Sequence, residues 1–191
     1  MVMVHGRGAT AESILELASE FTEEGLAFVA PQALGQTWYP NSFLAPLATN
    51  EPWLSSALEM LGELCRTLES GGPTLERTIL LGFSQGACLA LEFAARNARR
   101  YGGVAALTGG LIGPDGTPRD YQGSFLGTPV FLGSSDRDPH VPLWRVEESA
   151  QVLSRMGAHV TTRIYPGMGH TVNRDEVEAV RDMVRGAVGQ G

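Results

Sequence analysis

This sequence predicts an α/β domain built on a mostly parallel sheet of about six strands, with helices on both faces. Three observations predict it. Six short apolar runs recur along the chain, helix-period stripes lie between most of them, and one of the runs passes straight into a helix-like stretch through Gly82-Phe83-Ser84-Gln85-Gly86. Buried parallel strands read as continuous apolar runs, and strand–helix alternation is what crossover connections require.

Taken in order, Met1–Val4 is the first run and ends in His5-Gly6-Arg7-Gly8. Ala11–Phe21 then sets Ile14, Leu15, Leu17, Ala18 and Phe21 on one helical face. Leu26–Ala30 reads as a second strand. Pro31–Asn50 is a long connection holding Trp38, Tyr39, Phe43, Leu44 and three prolines. Pro52–Glu69 carries Leu54, Ala57, Leu58, Leu61, Cys65 and Leu68, the stripe of an amphipathic helix. Thr78–Leu81 is the third strand and Gln85–Arg99 the helix that follows the Gly-x-Ser-x-Gly turn. Gly103–Leu107 is the fourth strand, followed by a Gly-, Pro- and Asp-rich stretch, Gly109–Gly127. Pro129–Leu132, the helix Leu143–Met156, Val160–Tyr165 and the helix Asp175–Val188 complete the series. Both long loops follow strands. They therefore reach the rim where parallel sheets bind ligands, and long loops in compact domains are usually functional.

The composition narrows the class. The 191 residues suit a single domain over the whole chain, 1–191, and 43% apolar with 18% charged content is globular. A net charge of −7, with no basic cluster longer than Arg99-Arg100, argues against nucleic-acid binding by phosphate neutralisation. No apolar run approaches the roughly 18 residues of a membrane span, so no membrane insertion is expected. The first residues lack a charged stretch ahead of an apolar one, so no secretory leader is read there. Cys65 and Cys88 fall within helices among leucines and alanines, as small buried hydrophobes. They form neither a disulfide framework nor a metal cluster, and a cytoplasmic location is expected. All 14 basic residues are arginine. This excludes any chemistry that needs a lysine of this chain, such as a Schiff base, a phosphate-loop lysine or a Ser–Lys dyad. No metal or organic cofactor is expected.

Gly-x-Ser-x-Gly alone is weak, since this composition supplies roughly 0.2 copies by chance. Its position between a strand and a helix is the informative part. Such a turn lifts a serine hydroxyl out of the backbone, and the glycines keep side chains out of a crowded corner. A serine hydroxyl needs a base, and the base needs an orienting carboxylate. Of four histidines, His170 follows a strand end in Tyr165-Pro166-Gly167-Met168-Gly169-His170, a loop that can swing the ring over Ser84. His140 lies within the candidate acid's own loop, and His159 precedes a strand at the opposite end of the sheet. His5 opens a glycine-rich loop and is read as structural. After Pro129–Leu132, Asp136 and Asp138 compete for the acid. Asp138 is favoured because Pro139 pins the backbone after it, whereas Asp136 can pair with Arg137 or cap the turn. Ser84, Asp138 and His170 stand in the chain order of α/β-hydrolase triads. Oxyanion donors in that architecture are the backbone N–H after the nucleophile, here Gln85, and one from an early glycine-rich loop, here Arg7. The Arg7 side chain is read as a solvated surface charge.

His-Gly-x-Gly, Gly-Phe-Ser-Gln-Gly, Asp-Pro-x-Val-Pro and Gly-x-Gly-His, in this order from His5 to His170, resemble the phospholipase/carboxylesterase family of α/β hydrolases. That family includes small bacterial carboxylesterases and acyl-protein thioesterases. The resemblance implies nucleophile Ser84, acid Asp138, base His170 and oxyanion donors Arg7 and Gln85. It also implies a carboxylesterase that acts on short-to-medium acyl esters of small molecules, with acyl thioesterase or lysophospholipase as the alternative. Trp38-Tyr39 is similar to an aromatic pair near the family's acyl pocket; Phe83, Val141 and Met168 are the other candidates to line it. Family members usually carry two strands ahead of the His-Gly-x-Gly strand, which begins here at Met1. One sheet edge is therefore expected to be shorter or exposed, and a homodimer is the hypothesis that follows.

Overall fold

The computed structural model describes residues 1–189. Five strands, β1 (Val2–Val4), β2 (Ile79–Phe83), β3 (Gly103–Leu107), β4 (Pro129–Ser135) and β5 (His159–Tyr165), form one sheet in sequence order. Every neighbouring pair is parallel, in the register Val2–Leu80, Leu80–Val104, Val104–Val130 and Val130–Val160. The helices are α1 (Ala11–Leu15), α2 (Trp53–Ser70), α3 (Gln85–Arg96), α4 (Leu143–Arg155) and α5 (Arg174–Val188). No helix among the described residues is long and apolar enough to cross a membrane.

Alternation along the strands builds two cores. Val2, Val4, Leu80, Val104, Ala106, Val130 and Leu132 face α2, α3 and α4. Met1, Met3, Ile79, Leu81, Ala105, Leu107 and Phe131 face α1 and α5. Both faces of the inner sheet are thus covered, and for this reason β1 to β3 read as unbroken apolar runs, whereas β5, at the edge, is exposed or half-buried along its length. α3 lies deepest: every residue from Gln85 to Ala95 is buried.

The expected second strand, Leu26–Ala30, is a single bridge. Val29 pairs in parallel with Val2; Met3 donates to its carbonyl at 2.8 Å, and its own N–H donates to Met1 at 3.0 Å. Gly25 turns the chain at φ +81° just before the segment. Pro31, which has no N–H to donate, ends it just after, leaving room for little more than one paired residue. The sheet therefore has five strands rather than six, with Val29 on the outer edge of β1.

Other boundaries shift for local reasons. The first helix tightens into 3-10 turns over Glu16–Glu20, although Ile14 and Phe21 still reach the core. α3 stops at Arg96 because Asn97 turns its side chain back onto the Phe93 carbonyl at 2.9 Å. β4 runs on to Ser135 because it pairs with β5 as far as Ser135–Tyr165.

The stretch Gly109–Gly127 folds back over α3 and α4. Ile112 N–H donates to the buried Glu92 carboxylate at 3.0 Å and Leu111 N–H to Ser149 Oγ at 2.8 Å. Arg119 lies 3.7 Å from Glu148, which also pairs with the fully buried Arg145 at 2.6 Å. Buried charges persist only when paired, so this chain of ions fixes the loop where it lies.

Candidate active site

Ser84 links the end of β2 to the first turn of α3. Its φ of 54° and ψ of −119° lie outside the ordinary regions for an L-residue. Surrounding bonds hold it there: its N–H donates to Leu107 at 3.0 Å, and its carbonyl accepts from Cys88 at 3.0 Å. A strained residue held by its surroundings is characteristic of functional sites. The two flanking glycines are required by contact. A Cβ on Gly82 would strike the Gly86 carbonyl, and one on Gly86 would strike the carbonyls of Val4 and His5. The first turn of α3 is thereby pressed onto the end of β1.

The structure brings Ser84, Asp138 and His170 together from three neighbouring loops. His170 Nε2 is 2.7 Å from Ser84 Oγ, and its Nδ1 is 2.7 Å from Asp138 Oδ2. The Asp138 side chain is covered, and its second oxygen accepts from His140 N–H at 2.7 Å and Val141 N–H at 2.8 Å. Burial works to raise this carboxyl's pKa. The hydrogen bonds from His170, Val141 and His140 outweigh it and hold the group below its ordinary value. Asp136 has a different role: it accepts from the Gly167 N–H at 2.7 Å and so ties the acid loop to the histidine loop. The Phe83 ring lies 5.2 Å from that of His170, and His140 meets it edge-on at 4.8 Å, centroid to centroid. His159 begins β5 at the far end of the sheet.

The backbone N–H groups of Arg7 and Gln85 have no hydrogen-bond acceptor among the described residues. Gln85 opens α3, where the first N–H groups lack helical partners, so an anion beside Ser84 would meet a donor there. The side chains of the same two residues hold the long loop. Gln85 accepts from Trp38 N–H at 3.0 Å and donates to the Tyr39 carbonyl at 2.8 Å. The Arg7 guanidinium donates to the carbonyls of Tyr39, Pro40 and Asn41 at 2.7–2.9 Å. The reading of Arg7 as a merely solvated charge is therefore corrected: three carbonyls converge on its fork. His5 is structural, as read. It is fully buried, its Nε2 accepts from Ala33 N–H at 3.1 Å, and its ring packs at a tilt against Trp38, 4.7 Å between centroids.

A cavity of about 440 Å³ opens on Ser84 and His170; Arg7, Gln85, Tyr39 to Phe43, Cys88, His140 and Val141 line the rest of it. Of the five expected pocket residues, Tyr39 and Val141 line it, whereas Trp38, Phe83 and Met168 do not. Trp38 is drawn into the core by a hydrogen bond from its indole to the His5 carbonyl at 2.8 Å. Phe83 lies under the histidine ring and against Gly6. Met168 turns its sulfur toward Asn173 Nδ2 at 3.0 Å. Sequence reasoning missed Pro40 to Phe43, Cys88 and His140 as lining. The i, i+4 spacing of Ser84 and Cys88 is a signal that could have found Cys88, and the place of Pro40 to Phe43 in a long loop at the sheet rim is the signal for that stretch. A second cavity, of about 330 Å³, lies at the opposite end of the sheet between Phe131, His159 and Met183, away from these groups. Among the described residues, no group of three or more His, Cys, Asp or Glu is arranged to hold a metal ion.

Comparison with known proteins gives a consistent picture. A family model described as Phospholipase/Carboxylesterase matches residues 1–187. A crystal structure of a phospholipase/carboxylesterase from Dyadobacter fermentans is 46% identical, with a TM-score of 0.92, over 96% of this chain and 88% of that one. Among curated proteins, acyl-protein thioesterase 1 of Gibberella zeae is 32% identical over 115 residues, which is 58% of this chain and 48% of that protein. Its Saccharomyces cerevisiae counterpart is 32% identical over 112 residues, 58% of this chain and 49% of that protein. The chain thus spans about half the length of these curated relatives.

Proposed function

Because the chain belongs to the phospholipase/carboxylesterase family, we propose that it is a serine hydrolase that cleaves short-to-medium acyl esters of carboxylic acids through an acyl-enzyme. The observation that carries this reading is the unbroken run of hydrogen bonds from Asp138 through His170 to Ser84, at 2.7 Å each. With Nδ1–H given to Asp138, the imidazole presents a lone pair at Nε2 to the serine hydroxyl. His170 takes that proton as Ser84 Oγ attacks the ester carbonyl. The N–H groups of Arg7 and Gln85 receive the oxyanion, and each such donor is worth about 3–4 kcal/mol of barrier. The C–O bond to the alcohol then breaks, and the alcohol leaves with the proton from His170. Water, deprotonated by the same ring, releases the acid and restores Ser84. Asp138 fixes the ring's tautomer and stabilises its cation.

A second reading, acyl thioester cleavage by the same groups, is favoured by the names of the curated relatives. Rates on a thioester and an oxyester of the same acid separate the two. A fluorophosphonate probe tests the shared chemistry. It is expected to label the folded wild-type chain at Ser84 and to leave Ser84→Ala unlabelled. A folded wild-type protein that stays unlabelled would sink both readings.

A further inference from the structure

The cavity over Ser84 is lined by positive charge and by no negative charge. Arg7 is the one permanent ion in the lining; His140 and His170 can only be neutral or positive, and no Asp or Glu belongs to it. Two carboxylates lie behind the lining, and both are spent. Asp138 is covered and accepts from His170, His140 and Val141. Glu92 is buried, pairs with Arg96 at 2.8 Å and accepts from Ile112 N–H and the Tyr121 hydroxyl. A cation without a counter-ion is notable in a chain whose net charge is −7.

Arg7 is exposed and makes no ion pair among the described residues. Its guanidinium is held instead by the carbonyls of Tyr39, Pro40 and Asn41. Carbonyls fix the group in place without neutralising it. They take one N–H of Nη1 and two of Nη2, so Nε–H and one Nη1–H stay without an acceptor among the described residues. The charge is felt inside the cavity. Burial and the neighbouring Cys88 push the Tyr39 phenol well above its ordinary value, and Arg7 pulls the other way. A cleft lined by one sign of charge concentrates ligands of the opposite sign, and a guanidinium with unspent N–H groups suits a carboxylate. We propose that the substrate ester carries a carboxylate in one of its two halves and that the Arg7 side chain is the specificity-determining group that selects it. The inference rests on the ester-hydrolase reading and narrows it to anionic esters over neutral ones of the same length.

The test uses two pairs of chromogenic esters on wild type, Arg7→Gln and Arg7→Lys. In the first pair the anion is in the acyl half: the para-nitrophenyl monoester of glutaric acid against para-nitrophenyl pentanoate. In the second it is in the alcohol half: 4-butanoyloxy-3-nitrobenzoate against ortho-nitrophenyl butanoate. Both variants disturb the hold on Tyr39 to Asn41, so the readout is a ratio, background-corrected kcat/KM for the anionic over the neutral ester of each pair. In one pair that ratio is expected to fall about fivefold in Arg7→Gln and to be largely kept in Arg7→Lys, and the pair in which it falls identifies the half that bears the carboxylate. In wild type the same ratio is expected to fall as salt is added. A ratio unchanged by Arg7→Gln in both pairs would overturn the assignment. So would an equal fall in Arg7→Lys, which would place the effect in the anchorage rather than in the charge. If Arg7→Gln does not fold, a wild-type ratio indifferent to salt overturns it. Wild type that is labelled by the fluorophosphonate yet hydrolyses neither anionic ester would also overturn it and leave the hydrolase reading standing. No hydrolysis of any ester together with no labelling of wild type would overturn both.

Discussion

The Asp136 carboxylate and the Gly167 backbone N–H, 31 residues apart, are joined by a hydrogen bond of 2.7 Å. The bond lies two residues before Asp138 and three before His170, so it sets the spacing between the loops that carry these two residues.

If the proposed triad operates, Asp136→Ala should therefore slow catalysis without removing any reacting group. We expect kcat to fall about tenfold, because misplacement of a base by a fraction of an ångström is costly. Asp138→Asn should cost about 10⁴-fold, since it imposes the wrong tautomer on His170. Steady-state kinetics on one chromogenic ester would rank the two, and equal losses would remove the distinction between them.

Asp138 also links stability to pH. Its folded pKa lies below the ordinary value, so its contribution is complete above the unfolded carboxylate range. That contribution disappears as pH falls through the depressed value. The stability advantage of wild type over Asp138→Asn should be largest at neutral pH and shrink toward strong acid, which urea midpoints measured at several pH values would show.

Glu176 should behave in the opposite sense. It is fully buried, its Oε1 lacks a partner, and burial raises its pKa to about 7 despite the hydrogen bond from Asn173 N–H. Between the unfolded value and about 7 the folded chain holds a proton that the unfolded chain has lost, so stability declines as pH rises through that window. Glu176→Gln keeps the cap and removes the charge. It should be more stable than wild type above pH 7 by about 3 kcal/mol and nearly equal to it at acid pH. A variant less stable than wild type at alkaline pH would refute this.

Gly86→Ala should damage the fold as well as the site. The added methyl group meets the Val4 and His5 carbonyls, which are backbone and cannot rotate away. A loss of about 3 kcal/mol is expected, read as a lower urea midpoint and a lower Tm, together with loss of fluorophosphonate labelling.

Much of this was legible because the signals were local. β3 begins and ends where its apolar run does, and Ser84, Asp138 and His170 lie in turns that glycine and proline mark in the sequence. What was not legible depended on tertiary partners. Leu26–Ala30 has a strand's composition, but Gly25 and Pro31 leave it one bridge. Trp38 and Tyr39 are adjacent aromatics with opposite fates. The His5 carbonyl draws the Trp38 indole into the core, and the Gln85 amide holds Tyr39 at the cavity. Neither partner is near them in sequence. The choice between Asp136 and Asp138 rested on Pro139; what Asp136 does instead depends on a glycine in another loop.

The contact between Gly86 and the end of β1 has a consequence for how such a site can diversify. Arg7 follows β1 and Gln85 opens α3, so the gap between their two N–H groups is gauged by a junction too tight for one methyl group. The pair of N–H groups proposed to receive the oxyanion is fixed by that junction, whereas the stretch from Tyr39 to Phe43 is suspended from side chains and can be rewritten residue by residue. On the proposed hydrolase reading, new substrates can be acquired by exchanging that strap while the spacing of the two N–H groups is kept.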